Sequence, residues 1–228
     1  MRADFHGPGY AMGWIGAQRQ VLAGDLSARA DLREFAATAH LHALGPREAL
    51  QGEITVVDGV PFISTVAAGA VAVERSFAHR ACFLVYAQVP RWRWAVRGGP
   101  LPGLADLEPI LGGASARSGI GPDDPYPFFI TGRAALAAIH VLDKRDGLPH
   151  SPERHEEAKV HFTLSDEEVE LVGFHSTCHQ GVFVPRASTM HIHLTARGGH
   201  LAGHVDALQL TDGWRLALPA AGGPEEST

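Results

Sequence analysis

Along most of this chain, apolar residues come in short runs, often alternating with polar ones and closed off by Gly, Pro or Asp. That pattern predicts strands, because successive side chains of a strand point to opposite faces. Two β-rich runs within 52–63 flank Asp58-Gly59, the strongest short hairpin signal available. Further strands are expected at 66–73, 81–89, 128–141, 160–164, 169–174, 181–185, 190–195 and 203–210. Ser165-Asp166-Glu167-Glu168 supplies an acidic turn between two of them. Residues 20–41 instead space Leu32, Phe35 and Ala36 as a helix does, with Asp25 or Ser27 as cap and Gly45-Pro46 as stop. A short helix is expected at 101–111. Residues 1–13 read as a loose Gly-rich arm, 112–127 as a loop, 143–157 as an exposed connection, and the tail after Leu218 as mobile.

The sum is an α/β (α+β) chain of two sheet-rich subdomains, built from mixed and antiparallel strands with few helices. Residues 1–127 are expected to form a sheet domain with one helix. Residues 128–228 are expected to form a sheet domain with the metal site and a tail. There is no internal repeat.

Composition narrows the function. A chain of 228 residues can bury a sizeable core. A net charge of -6 and the lack of a basic cluster give no electrostatic case for a nucleic-acid partner. Arg91-Trp92-Arg93-Trp94 is read as an alternating strand with its tryptophans on the apolar face, rather than as a stacking surface. The N-terminus lacks the apolar core of a signal peptide, and no apolar run is long enough to cross a bilayer. The expectation is a soluble cytoplasmic protein with no membrane partner. Cys82 and Cys178, far apart in sequence, are expected as two free buried thiols. The many Ala, Gly, Arg and Pro residues suggest a GC-rich bacterial genome.

The candidate chemistry lies late in the chain. In Met190-His191-Ile192-His193-Leu194, strand geometry puts His191 and His193 on one face and the apolar residues on the other. A Gly-rich return can bring His204 alongside on a neighbouring strand. Three imidazoles with an open fourth position are the pattern of a catalytic zinc site, although iron(II), nickel, manganese or cobalt can use the same ligands. The chain has 14 histidines, so one HxH is a weak signal by itself. His200 competes for the third position; His204 is preferred because it begins a strand. Asp206, two residues on and on the same face, either orients a ligand or faces solvent. A cupin would place Glu shortly after HxH, and an α-type carbonic anhydrase would space the third His further away; neither fits.

Three passages resemble the α-acetolactate decarboxylases. Gly52-Glu53-Ile54-Thr55-Val56-Val57-Asp58-Gly59 is like that family's GELIALDG. Leu171-Val172-Gly173-Phe174 and Gly181-Val182-Phe183-Val184-Pro185 are like its IVGF and GINVP. His191-Ile192-His193-Leu194 with Ala202-Gly203-His204-Val205-Asp206 is like its HLHF and GGHVLD. Order and spacing agree from 45 to 210. The resemblance implies a two-domain α/β protein, usually a homodimer, with one Zn²⁺ on His191, His193 and His204. The family's active-site glutamate falls on Glu53; a solvent-facing carboxylate at a strand start is the other reading. The family threonine falls at Pro46, which has no hydroxyl, and the substrate-binding arginine falls near Leu142. Arg145, Lys144 or His140 are the replacements at hand. The late family glutamate corresponds only to Glu225 or Glu226.

The implied activity is a metal-dependent carbon–carbon lyase. It would decarboxylate a small 2-hydroxy-3-keto acid, such as α-acetolactate, to a hydroxyketone through a metal-stabilised enediolate. Glu53 would be the proton donor, with Arg145 or His140 serving the substrate. The losses around Pro46 and Leu142 keep two alternatives open. One is a divergent homologue that isomerises, cyclises or dehydrates an enolisable hydroxyketone. The other is a non-enzymatic metal- or small-ligand-binding protein.

Overall fold

A computed structural model of the chain describes residues 2–221. In chain order the strands are β1 (Arg2–Gly7), β2 (Tyr10–Ile15), β3 (Ala30–Asp31), β4 (Leu41–Pro46), β5 (Glu53–Val57), β6 (Val60–Ala67), β7 (Ala70–Glu74), β8 (Arg80–Ala81) and β9 (Leu84–Gln88). Then follow β10 (Trp92–Arg97), β11 (Tyr126–Leu142), β12 (Lys159–Leu164), β13 (Glu167–His175), β14 (Met190–Ala196), β15 (Ala202–Leu210) and β16 (Arg215–Pro219). The α-helices are α1 (Gln18–Leu22), α2 (Leu104–Arg117) and α3 (Pro152–Glu157). No helix is long and apolar enough to cross a membrane.

Two seven-stranded sheets carry the fold, and the ladders within them are antiparallel. The first has the order β1-β2-β9-β4-β5-β6-β7. Its β5–β6 hairpin turns on Asp58 and Gly59, both at positive φ (45° and 78°), as the sequence predicts for a tight primed turn. The second has the order β10-β16-β11-β13-β14-β15, with β12 also on β11. Here β11 is long enough to serve several neighbours. Residues 126–134 pair with β13, and residues from Ala134 to His140 pair with β15. The ladder β11-β13-β14-β15 therefore closes on itself. Register shifts at Ala134/Leu136 and Ala138/Ile139 accompany the change of partner along β11. Closure leaves these four strands without a free edge where the site will lie.

One apolar core joins the sheets. It contains Met12, Leu44 and Val85 from the first and Phe128, Leu171 and Leu194 from the second. β10 precedes residue 127 yet pairs with β16, so the second sheet draws strands from both sides of that point.

Several local expectations are corrected. Residues 1–13 are not a loose arm: β1 and β2 form a hairpin that extends the first sheet, and the Tyr10 hydroxyl donates to the Pro125 carbonyl at 2.6 Å. Frequent glycines hide the Tyr10/Met12 alternation. The helix over 20–41 shrinks to α1 and one 3-10 turn, Leu32–Phe35. Gly24, at φ 99°, lies just past the end of α1, and Asp31 caps the second turn by accepting from the Arg33 N–H. Leu32 and Phe35 are buried, so their spacing reports one turn rather than a long helix. Residues 181–185 are a turn, because three successive amides, Val182 to Val184, converge on the His179 carbonyl. The loop at 112–127 begins as the last turns of α2, and the 143–157 connection contains α3. Trp94 lies exposed under Arg215, since β10 is an edge strand. Cys82 is buried and Cys178 exposed; both are free. Residues 222–228 of the tail lie outside the described residues.

Candidate metal centre

Antiparallel register lines up three histidines in one row across the second sheet. His140 on β11 pairs with His204 on β15, and His204 pairs with His193 on β14. His191 stands on the same face of β14, two residues before His193. The rings of His191, His193 and His204 lie 4.8 to 5.5 Å apart. One nitrogen from each falls within 4.8 Å of the others. The closest pair, His191 Nε2 and His204 Nδ1, is 3.0 Å apart. A tetrahedral zinc ion holds its nitrogen ligands about 3.3 Å from one another, so only a small adjustment separates this cluster from a coordination shell. The close packing depends on Gly203: a Cβ there would stand 2.7 Å from the His140 carbonyl oxygen and push β15 off β11.

Proton positions suit metal binding as well. His191 Nδ1 lies 2.8 Å from the Phe183 carbonyl, which can only accept, so Nδ1 carries the proton and Nε2 offers its lone pair. His193 Nδ1 meets Thr55 Oγ1 at 2.8 Å, while its Nε2 is buried with no hydrogen-bond partner. A buried, unpartnered imidazole nitrogen facing two others is the chemistry of a ligand awaiting a cation. Burial pushes His191 down to about 4 and holds His193 and His204 well below the usual imidazole range, with neighbouring imidazoles adding to the effect. All three are therefore neutral at pH 7, the form that binds a metal. The residues fit one divalent ion.

The first sheet adds a carboxyl. Glu53 and Thr55 share a face of β5, every residue of which is buried. Glu53 Oε2 lies 3.8 Å from His193 Nε2. Burial pushes the Glu53 carboxyl well above the usual range, against an opposing hydrogen bond from the Leu142 backbone. The solvent-facing alternative for Glu53 is thereby excluded. His140 sits beside the trio, 4.6 Å from His204 between ring centres, and its Nδ1 is 2.8 Å from Asp206 Oδ1. Asp206 also faces His161 at 3.2 Å. Asp206 is exposed and holds His140, the neighbour of His204, rather than one of the three predicted ligands.

A cavity of about 330 Å³ opens onto this group. Glu53, His140, His191 and His204 form its inner end, and Val21, Leu22, Phe83 and Leu142 its apolar walls. His155, Glu156, Lys159 and Arg186 also line it. Other sequence candidates lie elsewhere. Arg145 binds Asp143 Oδ1 at 2.7 Å and the Val66 carbonyl at 2.8 Å, away from the cavity. Lys144 is tied to Asp146 and the Leu148 carbonyl. His200 is exposed and faces Glu167. Pro46 and Leu142 line the cavity as apolar groups. Glu225 and Glu226 lie outside the described residues. Sequence reasoning missed Thr55, Lys159 and Arg186. Thr55 had a signal, since strand alternation puts it on the face of Glu53; the two cations had none.

Comparison with known proteins agrees with this geometry at the level of fold. No protein-family model matches the sequence, and no curated protein sequence matches it. Among solved structures, α-acetolactate decarboxylase from Bacillus subtilis strain 168 is similar over 92% of this chain and 85% of its own, with a TM-score of 0.71 and 15% identity. Acetolactate decarboxylase from Bacillus subtilis subspecies spizizenii is similar over 90% of this chain and 84% of its own, with a TM-score of 0.73 and 15% identity. A Staphylococcus aureus protein of unknown function, described as similar to α-acetolactate decarboxylase, covers 89% of this chain and 83% of its own, with a TM-score of 0.67 and 13% identity. The chain therefore has the acetolactate decarboxylase fold, with a histidine group able to hold a metal.

Proposed function

We propose that this protein is a metal-dependent carbon–carbon lyase that decarboxylates a small 2-hydroxy-3-keto acid, α-acetolactate or a close analogue, to a hydroxyketone. The observation that carries this reading is the meeting of three imidazoles, two buried and one half-buried, with the buried carboxyl of Glu53 at the inner end of a small-molecule cavity. His191, His193 and His204 would hold one divalent ion, zinc first by ligand chemistry. When bound, such an ion supplies Lewis-acid polarisation of the substrate oxygens.

The chain's own groups account for the rest. Breaking the bond to the carboxylate carbon releases CO₂ and leaves an electron pair that must end as a C–H bond. Glu53, whose carboxyl burial pushes well above the usual range, is the group placed to deliver that proton. Thr55 and the Phe183 carbonyl hold His193 and His191 in position. Leu22, Phe83 and Leu142 keep bulk water from competing for the proton. A homodimer in a bacterial cytoplasm completes the proposal.

The apolar wall at Leu142 favours a second reading. Leu142 itself has no charge to grip a carboxylate, and on this reading the site serves an enolisable hydroxyketone that it isomerises without loss of carbon. Incubating the zinc-loaded protein with racemic acetolactate separates the two. Acetoin with one equivalent of CO₂ supports the lyase; acetolactate left unchanged, with solvent-deuterium exchange into added acetoin, supports the second reading. Glu53→Gln should keep its metal and lose about 10²- to 10⁴-fold in rate.

A further inference from the structure

Two basic side chains line the cavity, Lys159 and Arg186, and they are in opposite situations. Lys159 Nζ is held by both carboxylate oxygens of Glu156, at 2.8 and 2.7 Å. Arg186 is exposed, and among the described residues its guanidinium meets no carboxylate and makes no hydrogen bond. We propose that Arg186 binds the carboxylate of the substrate, so that the cavity takes a monocarboxylic acid whose hydroxy and keto oxygens face the histidines. This rests on the lyase reading for the site.

The loop that carries Arg186 is not a free arm. Its Gly181 and Val182 carbonyls accept from the Arg19 and Gln18 amides of α1, both at 2.8 Å. Its Phe183 carbonyl receives His191 Nδ1. The Arg186 stem lies along Gly181: a Cβ there would stand 3.4 Å from Arg186 Cγ and 3.7 Å from Nε. One short segment thus fixes a metal-ligand candidate at one end of the cavity and an unpaired guanidinium at the other. Preorganisation of this kind lowers the cost of binding a ligand that spans both.

The chemistry selects a carboxylate. A guanidinium offers two parallel N–H donors that match a planar carboxylate. A dianionic phosphate would call on a second cation, and Lys159 is already neutralised. The apolar walls, Val21, Leu22, Phe83 and Leu142, suit the short alkyl substituents of a small hydroxy-keto acid.

Calorimetric titration of the protein with its bound metal quantified tests this. The probes are 2,3-dihydroxy-2-methylbutanoate, which keeps the carboxylate and the vicinal oxygens without a reactive ketone, and the neutral 2-methylbutane-2,3-diol. The wild type should bind the acid at least about 10-fold more tightly than the diol. Arg186→Gln should weaken the acid about 10- to 100-fold, leave the diol and the metal content unchanged, and Arg186→Lys should restore part of the loss. Equal weakening of both probes, no weakening of either, loss of metal from Arg186→Gln, or a wild type indifferent to the carboxylate would each overturn the assignment. If Arg186 governs acid binding but acetolactate is not turned over, the lyase reading fails and Arg186 stands. If acetolactate is turned over and Arg186→Gln changes nothing, the reverse holds.

Discussion

At the inner end of the cavity every polar group sits on a paired strand: His140 on β11, His191 and His193 on β14, His204 on β15 and Glu53 on β5. At the mouth the polar groups come from a loop, from the short helix α3 and from the first residue of β12: Arg186, His155 and Lys159. The inner groups are buried or half-buried, and burial pushes the Glu53 carboxyl up and the imidazoles of His193 and His204 down. Those at the mouth include the basic side chains of Lys159 and Arg186. Groups that must meet within an ångström are placed by ladders, whose register cannot drift without turning a buried face outward. Groups that choose among substrates sit where the chain can change without disturbing the core.

The strongest way to break that contrast is His193→Ala. It removes the nitrogen that has no partner except its neighbours, and stoichiometric zinc binding measured by elemental analysis should disappear. At zinc 100 times its Kd, the wild type should gain about 2.7 kcal/mol of stability that the variant lacks. Retention of a full equivalent would mean that the ion sits elsewhere.

Acid should separate the two ends next. His191 titrates near 6.5 in an unfolded chain and at about 4 in the fold. Between these values the unfolded state binds more protons. Stability is therefore fully present above about 6.5 and is lost as pH falls toward 4, by about 3 kcal/mol for a group this buried. On the exposed connection, Asp146 stays ionised down to about 2, held there by Lys144 and Arg154, so it contributes little loss in that window. Urea unfolding of the metal-free protein at pH 7 and pH 4.5 measures the difference. A flat profile would show that the imidazoles are wetter than the packing implies.

Thr55→Val tests the support from the first sheet. Losing the oxygen that meets His193 Nδ1 should cost about 10- to 100-fold in metal affinity with little change in fold. Unchanged affinity in a competitive chelator titration would reduce Thr55 to a packing residue.

The smallest effect is expected from Arg145→Ala. Its partners, Asp143 and the Val66 carbonyl, lie off the cavity. Stability should shift by no more than about 0.5 kcal/mol, and turnover should stay at the wild-type level. A large drop in rate would bring back the assignment made from sequence proximity to Leu142.

Much of the site could be read from the chain because strand periodicity is strict. HxH in an apolar run places two rings on one face, and an Asp-Gly turn makes Glu53 part of a hairpin. Legibility failed where local composition and local structure part company. The spacing of Leu32 and Phe35 is helical for a single turn only, since Gly24 follows α1 and Asp31 starts a new cap. The alternation of Tyr10 and Met12 is diluted by glycines that β1 and β2 use to turn. Arg145 is close in sequence to Leu142 but points away, because Asp143 beside it offers a nearer charge.

The amino-acid sequence alone determined the strand-rich class, the β5–β6 hairpin and the sharing of one face by His191 and His193, all consequences of backbone periodicity and turn stereochemistry over a few residues. Only the tertiary structure decided that β11 would bend to pair with both β13 and β15, carrying His140 to His204. It alone brought β5 of the other sheet over His193 and left Arg186 unpaired at the cavity mouth. Those outcomes depend on the closing of a ladder and the stacking of two sheets around a shared apolar core, contacts between residues distant in sequence that no local pattern encodes.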